Sequence, residues 1–223
     1  MHVAFIFRGD ISRHQSGPRN QIDALMCYNN WKSALFDDIV SAGSTYEIIF
    51  ITYDSPILNE AKLNFNPTYC EIQPERSQTA NFQRVLNYVN LNKNNFDRFV
   101  ILRFDIMYKI RLTSWPKWTE KGIFLFNKDV HYNTRKLYSD IIFIFDSNTT
   151  DTVCQLKGIY YNSTIHNFGR ALEENGVSFH LLYDSYYHIL SNPLFVIGSI
   201  QKEPDLNNYI RDYEEILDVS PWN

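Results

Sequence analysis

Apolar residues along this chain fall into short continuous runs separated by helical stripes. Val3 to Phe7, Glu47 to Thr52, and Phe99 to Leu102 with Phe104 are runs of the kind that read as strands buried on both faces, as in a parallel sheet. Thr68 to Ile72 is a weaker third strand. Between the runs, Gln21 to Ser41 carries Ile22, Leu25, Met26, Leu35, Phe36 and Ile39 at helical spacing and stops at Gly43. Ser77 to Asn92 places Phe82, Val85, Leu86 and Val89 on one stripe, with Ser77 as its cap. Leu58 to Pro67 reads as irregular. The order strand, helix, strand, loop and strand, helix, strand predicts a mostly parallel α/β sheet flanked by helices.

The second half is mixed. Trp115-Pro116-Lys117-Trp118 reads as a turn, and Gly122 to Phe126 and Ile141 to Phe145 as strands around the polar stretch Asn127 to Lys136. Ser163 to Asn175 predicts a helix stopped by Gly176, Val177 to Tyr183 an alternating strand, and Pro193 to Ile200 a further apolar piece. Glu203 to Asp218 reads as an acidic surface helix. No repeat, low-complexity segment or linker divides the chain, so a single domain over residues 1–223 is expected.

Polar residues collect where the runs end. Arg8-Gly9-Asp10 follows the first strand, Tyr53-Asp54-Ser55 the second, and Arg103 and Asp105 the central one. In a parallel sheet these ends share one edge, the edge where open α/β sheets bind ligands. Asp105 is the hardest to explain as core, because an unpaired buried carboxylate is costly. Either Arg103 or a neighbouring strand pairs it, which is a structural reading, or it meets a cation or ligand. There is no Gly-x-Gly-x-x-Gly and no Walker loop, so two common phosphate cradles are absent.

Composition narrows the partners. The chain has 223 residues, a formal net charge of -4 and a pI near 5.8, without the basic excess of a nucleic-acid binder. No stretch approaches the ~20 apolar residues of a membrane span. The N-terminus runs directly into a strand without signal-peptide features. Cys27, Cys70 and Cys154 have neither disulfide-framework nor zinc spacing. A reduced, cytoplasmic protein is expected, and the sequons at Asn148 and Asn162 read as chance matches.

The element order, and a central strand ending in a carboxylate, resemble the GT-A fold of nucleotide-sugar-dependent glycosyltransferases. In that family a strand at a similar place ends in Asp-x-Asp, whose last acid holds Mn²⁺ or Mg²⁺ and through it the donor diphosphate. The matching tripeptide here is Arg103-Phe104-Asp105, so only the second acid is present. The strand ends Arg8-Gly9 and Thr52-Tyr53-Asp54-Ser55 look similar to small transferases of large DNA viruses and of bacterial surface-polysaccharide loci. The resemblance implies a nucleotide-sugar-binding half over residues 1–110 and an acceptor-binding half over residues 111–223.

It also implies a chemistry. A UDP- or GDP-sugar would give up its sugar to a glycan acceptor, and a divalent ion or an Arg clamp would stabilise the diphosphate. On this reading Asp105 binds the ion, with His188 as a second ligand. Arg103 contacts phosphate or orients Asp105, and Arg8, Gly9 and Asp10 lie beside the nucleoside. Tyr53 stacks on the base, Asp54 accepts from base or ribose, and Arg84 faces the ligand edge or simply water. Asp140, ahead of the strand from Ile141, is the candidate general base on the acceptor hydroxyl, or a turn former. Trp115, Trp118, Tyr132 and Tyr138 are either a sugar platform or core. A non-catalytic nucleotide- or glycan-binding module on the same fold is the alternative, motivated by the missing first acid. A methyltransferase is disfavoured by the absence of a glycine-rich first turn.

Overall fold

The fold described here comes from a computed structural model and covers residues 1–14, 21–128, 137–156, 164–183 and 195–197. Seven strands form one sheet that takes strands from both halves of the chain. In chain order they are β1 (His2–Gly9), β4 (Thr45–Tyr53), β5 (Tyr69–Gln73), β6 (Arg98–Arg103), β8 (Ile123–Leu125), β9 (Ile142–Asp146) and β10 (His180–Leu181). Across the sheet the order is β10-β8-β9-β6-β1-β4-β5. β1 pairs in parallel with β4 and β6, and β4 in parallel with β5. β9 runs antiparallel to both β6 and β8. Two small antiparallel pairs lie outside this sheet: β2 (Ser12–His14) with β3 (Gln21–Asp23), and β7 (Ile106–Tyr108) with β11 (Phe195–Ile197).

Alternation along the strands divides the core into two layers. Phe5, Phe7, Phe50, Val100 and Leu102 face one side, against Trp31, Phe36 and Phe65. Ala4, Ile6, Ile49, Ile51, Phe99 and Ile101 face the other, against Phe82, Val85, Leu86 and Val89. The first layer is covered by α1 (Ala24–Trp31), α2 (Asp38–Ser41) and α3 (Leu58–Phe65). The second is covered by α4 (Gln78–Asn92), α5 (Thr150–Gln155) and α6 (Phe168–Glu174). The mostly parallel sheet with helices on both faces is the architecture the alternation predicts.

Several details depart from the sequence reading. Gln21–Asp23 is a strand, and the helix starts at Ala24 behind Asp23, whose side chain accepts from the Leu25 N–H at 2.9 Å. Leu58–Phe65 is a helix and not irregular. Leu58, Ala61 and Phe65 bury one face of it, and Asn66 ends it in the left-handed conformation at φ 46°. Ile142–Asp146 is a buried strand as expected but runs against its neighbours. The expected strand Val177 to Tyr183 is reduced to two residues. Helix α5 was not expected. The Glu203 to Asp218 segment lies outside the described residues. Ser77 caps α4 as read, its Oγ accepting from the Ala80 N–H at 3.2 Å.

Candidate active site

Among the described residues, the densest buried charge lies where β1 and β6 leave the sheet. Arg8 and Arg103 are direct register partners on these parallel neighbours. Strand alternation turns both toward the α4 side, and the Arg8 guanidinium lies 5.9 Å from the ring centres of both Phe82 and Phe143. Two like charges side by side in an apolar layer repel unless anions are built between them. Two carboxylates supply this. Arg103 Nε and Nη2 donate to the two oxygens of Asp105 at 2.8 and 2.5 Å, a forked pair. Arg103 Nη1 donates to Asp140 Oδ1 at 3.0 Å, and Arg8 Nη2 donates to Asp140 Oδ2 at 3.2 Å and to the Asp140 carbonyl. Asp140 is the bridge between the two guanidiniums.

Exposure within this cluster is uneven. The side chains of Arg8, Asp105 and Asp140 are 3%, 6% and 5% exposed, whereas Arg103 is 24% exposed. The carboxylates are buried, and Arg103 is the member of this neutral cluster whose side chain reaches solvent. Burial alone would raise the Asp140 pKa, but the Arg103 and Arg8 charges, with His166 adding to them, outweigh it and hold this carboxyl well below the usual range. Arg103 is pushed the other way: burial is opposed and overcome by Asp105 and Asp140. Burial lowers Arg8. Arg8 Nε is buried with no hydrogen-bond partner among the described residues.

Second-half elements hold Asp140 in place. The N–H of Ser139 donates to the Asn127 carbonyl at 3.0 Å and that of Tyr138 to the His166 carbonyl at 2.8 Å. The Tyr138 hydroxyl donates to Glu173 Oε1 at 2.5 Å, and its ring lies against Gly169, where a Cβ would sit 2.3 Å from the ring. After Asp105 the chain is tied to helix α1. Asn30 exchanges two hydrogen bonds with the Tyr108 backbone at 2.7 and 3.0 Å, and Trp31 Nε1 donates to the Ile106 carbonyl at 2.5 Å.

The neighbouring strand ends complete the edge. Gly9 takes φ 93°, a conformation that favours glycine, and its carbonyl accepts from Thr52 Oγ1 at 2.7 Å. Asp10 pairs with Arg76 at 3.3 Å, just ahead of the Ser77 cap of α4. Tyr53 is pushed up to about 12 by burial and by Asp10, with Arg8, the Ser77 backbone and Arg76 opposing, so these groups share one neighbourhood. Arg76 was missed in the sequence reading. Its one signal was a cation immediately before a capped helix N-terminus at the ligand edge.

Other expected residues lie elsewhere or in other roles. Tyr53 is 4% exposed, so its ring is not a surface on which a base can stack. Asp54 is exposed at the same edge and accepts from the Ser55 N–H at 3.0 Å. Arg84 does not join the cluster. It pairs with Glu71 at 3.6 Å on the outer face of α4, beside a surface depression lined by Tyr69, Glu71 and Tyr88 that contains none of the cluster. Trp115, Trp118 and Tyr138 are core and not an exposed platform. His188 and Tyr132 lie outside the described residues.

Two expected roles do not fit the geometry. A general base needs a free oxygen and a pKa near the working pH. Asp140 has both oxygens on guanidiniums and is held strongly acidic. A divalent cation of the Mg²⁺ or Mn²⁺ kind needs carboxylate oxygens to ligate it. Both Asp105 oxygens are taken by the Arg103 fork. Among the described residues no three His, Cys, Asp or Glu side chains gather to hold a metal. Among the described residues the donor set at this edge therefore does not fit such an ion.

No family model and no curated protein matches the sequence. Solved structures do match in fold. The chain superposes on 4-diphosphocytidyl-2C-methyl-D-erythritol synthase from Anaerococcus prevotii with a TM-score of 0.52 at 9% identity, over 94% of this chain and 98% of that one. A second structure of a synthase of that name gives 0.51 at 7% identity, over 96% and 97%. A glycosyltransferase involved in glycosylation of the major capsid of PBCV-1 gives 0.49 at 12% identity, over 88% and 93%. At these identities the likeness shows the fold alone, an α/β fold spanning nearly the whole chain. Among the described residues no helix is long and apolar enough to cross a membrane.

Proposed function

We propose that this protein is a glycosyltransferase that takes a sugar from a nucleotide-diphosphate donor and passes it to a glycan acceptor. The observation that carries this reading is the Arg8–Asp140–Arg103–Asp105 cluster at the exit of β1 and β6, with Arg103 as its exposed end. Ligand sites of open α/β sheets lie at this edge, and a partly exposed arginine suits the charge that builds on a departing diphosphate. In the reaction the acceptor oxygen bonds to the anomeric carbon and releases its proton to water. The bond from that carbon to the diphosphate oxygen breaks, and its electron pair stays on the diphosphate. The nucleoside side of the donor is assigned to the strand ends of β1 and β4, where Gly9, Asp10, Asp54 and Arg76 lie. The 111–223 half is assigned to the acceptor.

A second reading is nucleotidyl transfer from a nucleoside triphosphate to a sugar or alcohol phosphate. It is favoured by the fold shared with the two diphosphocytidyl synthases, and the same edge accommodates a triphosphate. One experiment separates the readings. The protein is incubated with UDP-, GDP- and CDP-sugars, and separately with CTP or UTP plus sugar phosphates, and products are followed by phosphorus NMR. Release of a nucleoside diphosphate supports glycosyl transfer, and release of pyrophosphate supports nucleotidyl transfer. Binding without either product returns the protein to a non-catalytic nucleotide- or glycan-binding module.

A further inference from the structure

We infer that Arg103 takes the place of a divalent cation in this site, so that the protein receives a diphosphate without metal, and that Asp105 and Asp140 position this guanidinium. The inference rests on the transferase reading for the nucleotide part of the ligand but not for the diphosphate itself. Its first support is saturation. Every carboxylate oxygen in the cluster accepts from an arginine: Asp105 gives both oxygens to Arg103, and Asp140 gives one to Arg103 and one to Arg8. A cation entering here would have to displace guanidinium donors and then remain beside two fixed positive charges. The second support is direction. The acids are buried and Arg103 is partly exposed, so an approaching group meets a positive end. Three Arg103 N–H donors are committed to the two acids, and a guanidinium carries five. The remaining two, one on each terminal nitrogen, are left for an anion such as phosphate. The third support is an unfinished interior. Arg8 Nε, Gln73 Nε2, Tyr53 Oη and Asn81 Oδ1 are buried without hydrogen-bond partners among the described residues. All four belong to the ends of β1, β4 and β5 and the first turns of α4, the same edge as Arg103. Buried polar atoms are nearly always paired, so four orphans at one edge mark a place where a polar ligand is expected. The N-terminus of α4 adds positive potential there.

Asp105 acquires a different job on this account. Where a lone carboxylate would hold an ion, here it stiffens a guanidinium, so its loss should loosen Arg103 without emptying the site.

The test is calorimetric titration of the full chain with inorganic pyrophosphate and, separately, with UDP, CDP and GDP, each in EDTA and again in Mn²⁺. Pyrophosphate is expected to bind in EDTA, with affinity changed less than about threefold by Mn²⁺ after correction for metal–pyrophosphate association. Arg103→Gln is expected to weaken binding by about 10- to 100-fold, the scale of charge-assisted hydrogen bonds. Arg103→Lys, which keeps the charge and loses the fork, is expected to fall between. Asp105→Asn is expected to retain binding in EDTA to within about tenfold, because the charge of Arg103 remains. The inference is overturned by pyrophosphate binding that appears only with Mn²⁺, by loss of binding in Asp105→Asn with folded Arg103→Gln unaffected, or by no pyrophosphate binding under either condition. Pyrophosphate binding with no preference for any nucleoside diphosphate would leave the inference standing and overturn the nucleotide-sugar reading.

Discussion

Strand β6 enters the sheet on one buried Arg–Asp pair and leaves it on another, and the two ends are built differently. At the entry, Arg98 donates through Nε to Asp146 Oδ1 at 2.6 Å and through Nη2 to the Glu120 carbonyl at 2.5 Å. It also donates to the Trp118 carbonyl and stacks on the Trp118 ring at 4.7 Å. The second oxygen of Asp146 accepts from the Gly122 N–H at 2.6 Å. All three nitrogens of this arginine are occupied, and its side chain is 4% exposed. At the exit, carboxylates are shared between arginines, one arginine is partly exposed and another keeps an orphan Nε. Burial of charge is common to both ends and so does not mark function. What distinguishes the exit is an arginine with spare donors whose side chain is partly exposed.

Breaking each end in turn gives the largest contrast. Asp146→Asn leaves Arg98 buried without a counter-charge and should cost about 3–5 kcal/mol of stability. Pyrophosphate affinity of the fraction that remains folded should not change. Arg103→Gln leaves the buried Asp105 carboxylate without its guanidinium and should cost a similar amount of stability, while also removing most of the anion affinity. Urea denaturation run alongside calorimetry on both variants checks the pair. Equal binding losses would mean the two ends are equivalent and would remove the distinction.

Asp140→Asn probes the exit end alone. It removes the bridging charge between Arg8 and Arg103 and should cost about 3 kcal/mol at neutral pH, since one partner of a buried pair is lost. The pH dependence has a definite sign. The folded Asp140 carboxyl lies below its ordinary value of 3.8, so its contribution is present above that pH and is lost as pH falls toward the folded value. The stability gap between wild type and Asp140→Asn should therefore be widest at neutral pH and close in acid. Denaturation at a series of pH values measures it, and a gap that stays constant into strong acid would mean Asp140 is not held by the arginines.

How much of this was legible in the sequence follows from which interactions are local. The strands of the first half announce themselves as apolar runs, because both faces of a central parallel strand are buried. The convergence of Arg8, Asp54, Arg103 and Asp105 at one edge followed from strand direction alone. The i, i+2 pairing of Arg103 with Asp105 was readable as one of two options. What joins Arg8 to Asp140 was not readable, since it depends on β9 running against β6 beside β1, and a reversed strand leaves no mark in its own composition. Helix α3 was missed because three buried positions in eight residues give a weak stripe, and Arg84 was left between the ligand edge and water because an arginine on a helix does not declare its face.

Gly169→Ala tests how the second half reaches into the exit cluster. A Cβ there would lie 2.3 Å from the Tyr138 ring and 2.7 Å from Leu125 Cδ1, so the ring must move or the helix must shift. Overpacking of this kind costs about 1–3 kcal/mol. Because Tyr138 is two residues from Asp140, the substitution should also reduce pyrophosphate binding, whereas the Arg98–Asp146 end should be unaffected. Stability loss with unchanged binding would show that Asp140 is positioned by Ser139 and Asn127 instead.

The smallest expected effect belongs to Tyr53→Phe, and it asks whether the exit end is unfinished without ligand. The Tyr53 ring is core, and its hydroxyl makes no close hydrogen bond among the described residues, with the Ser77 backbone acting on it only from a longer range. Removing an unsatisfied buried hydroxyl relieves a desolvation penalty, so the free protein should gain up to about 1 kcal/mol at neutral pH. Titration adds a second reading. Burial and Asp10 push this phenol up to about 12, above the ~10 of an unfolded tyrosine. A raised acid of this kind contributes stability that is fully present below the unfolded value and lost as pH climbs toward the folded one. The phenylalanine variant has no such group, so its advantage over wild type should grow between about pH 10 and 12. If the hydroxyl is reserved for a ligand, the same variant should bind UDP, CDP or GDP more weakly while being the more stable protein. A variant less stable at neutral pH would mean that the hydroxyl already has a partner, and that the exit end is closed as tightly as the entry end.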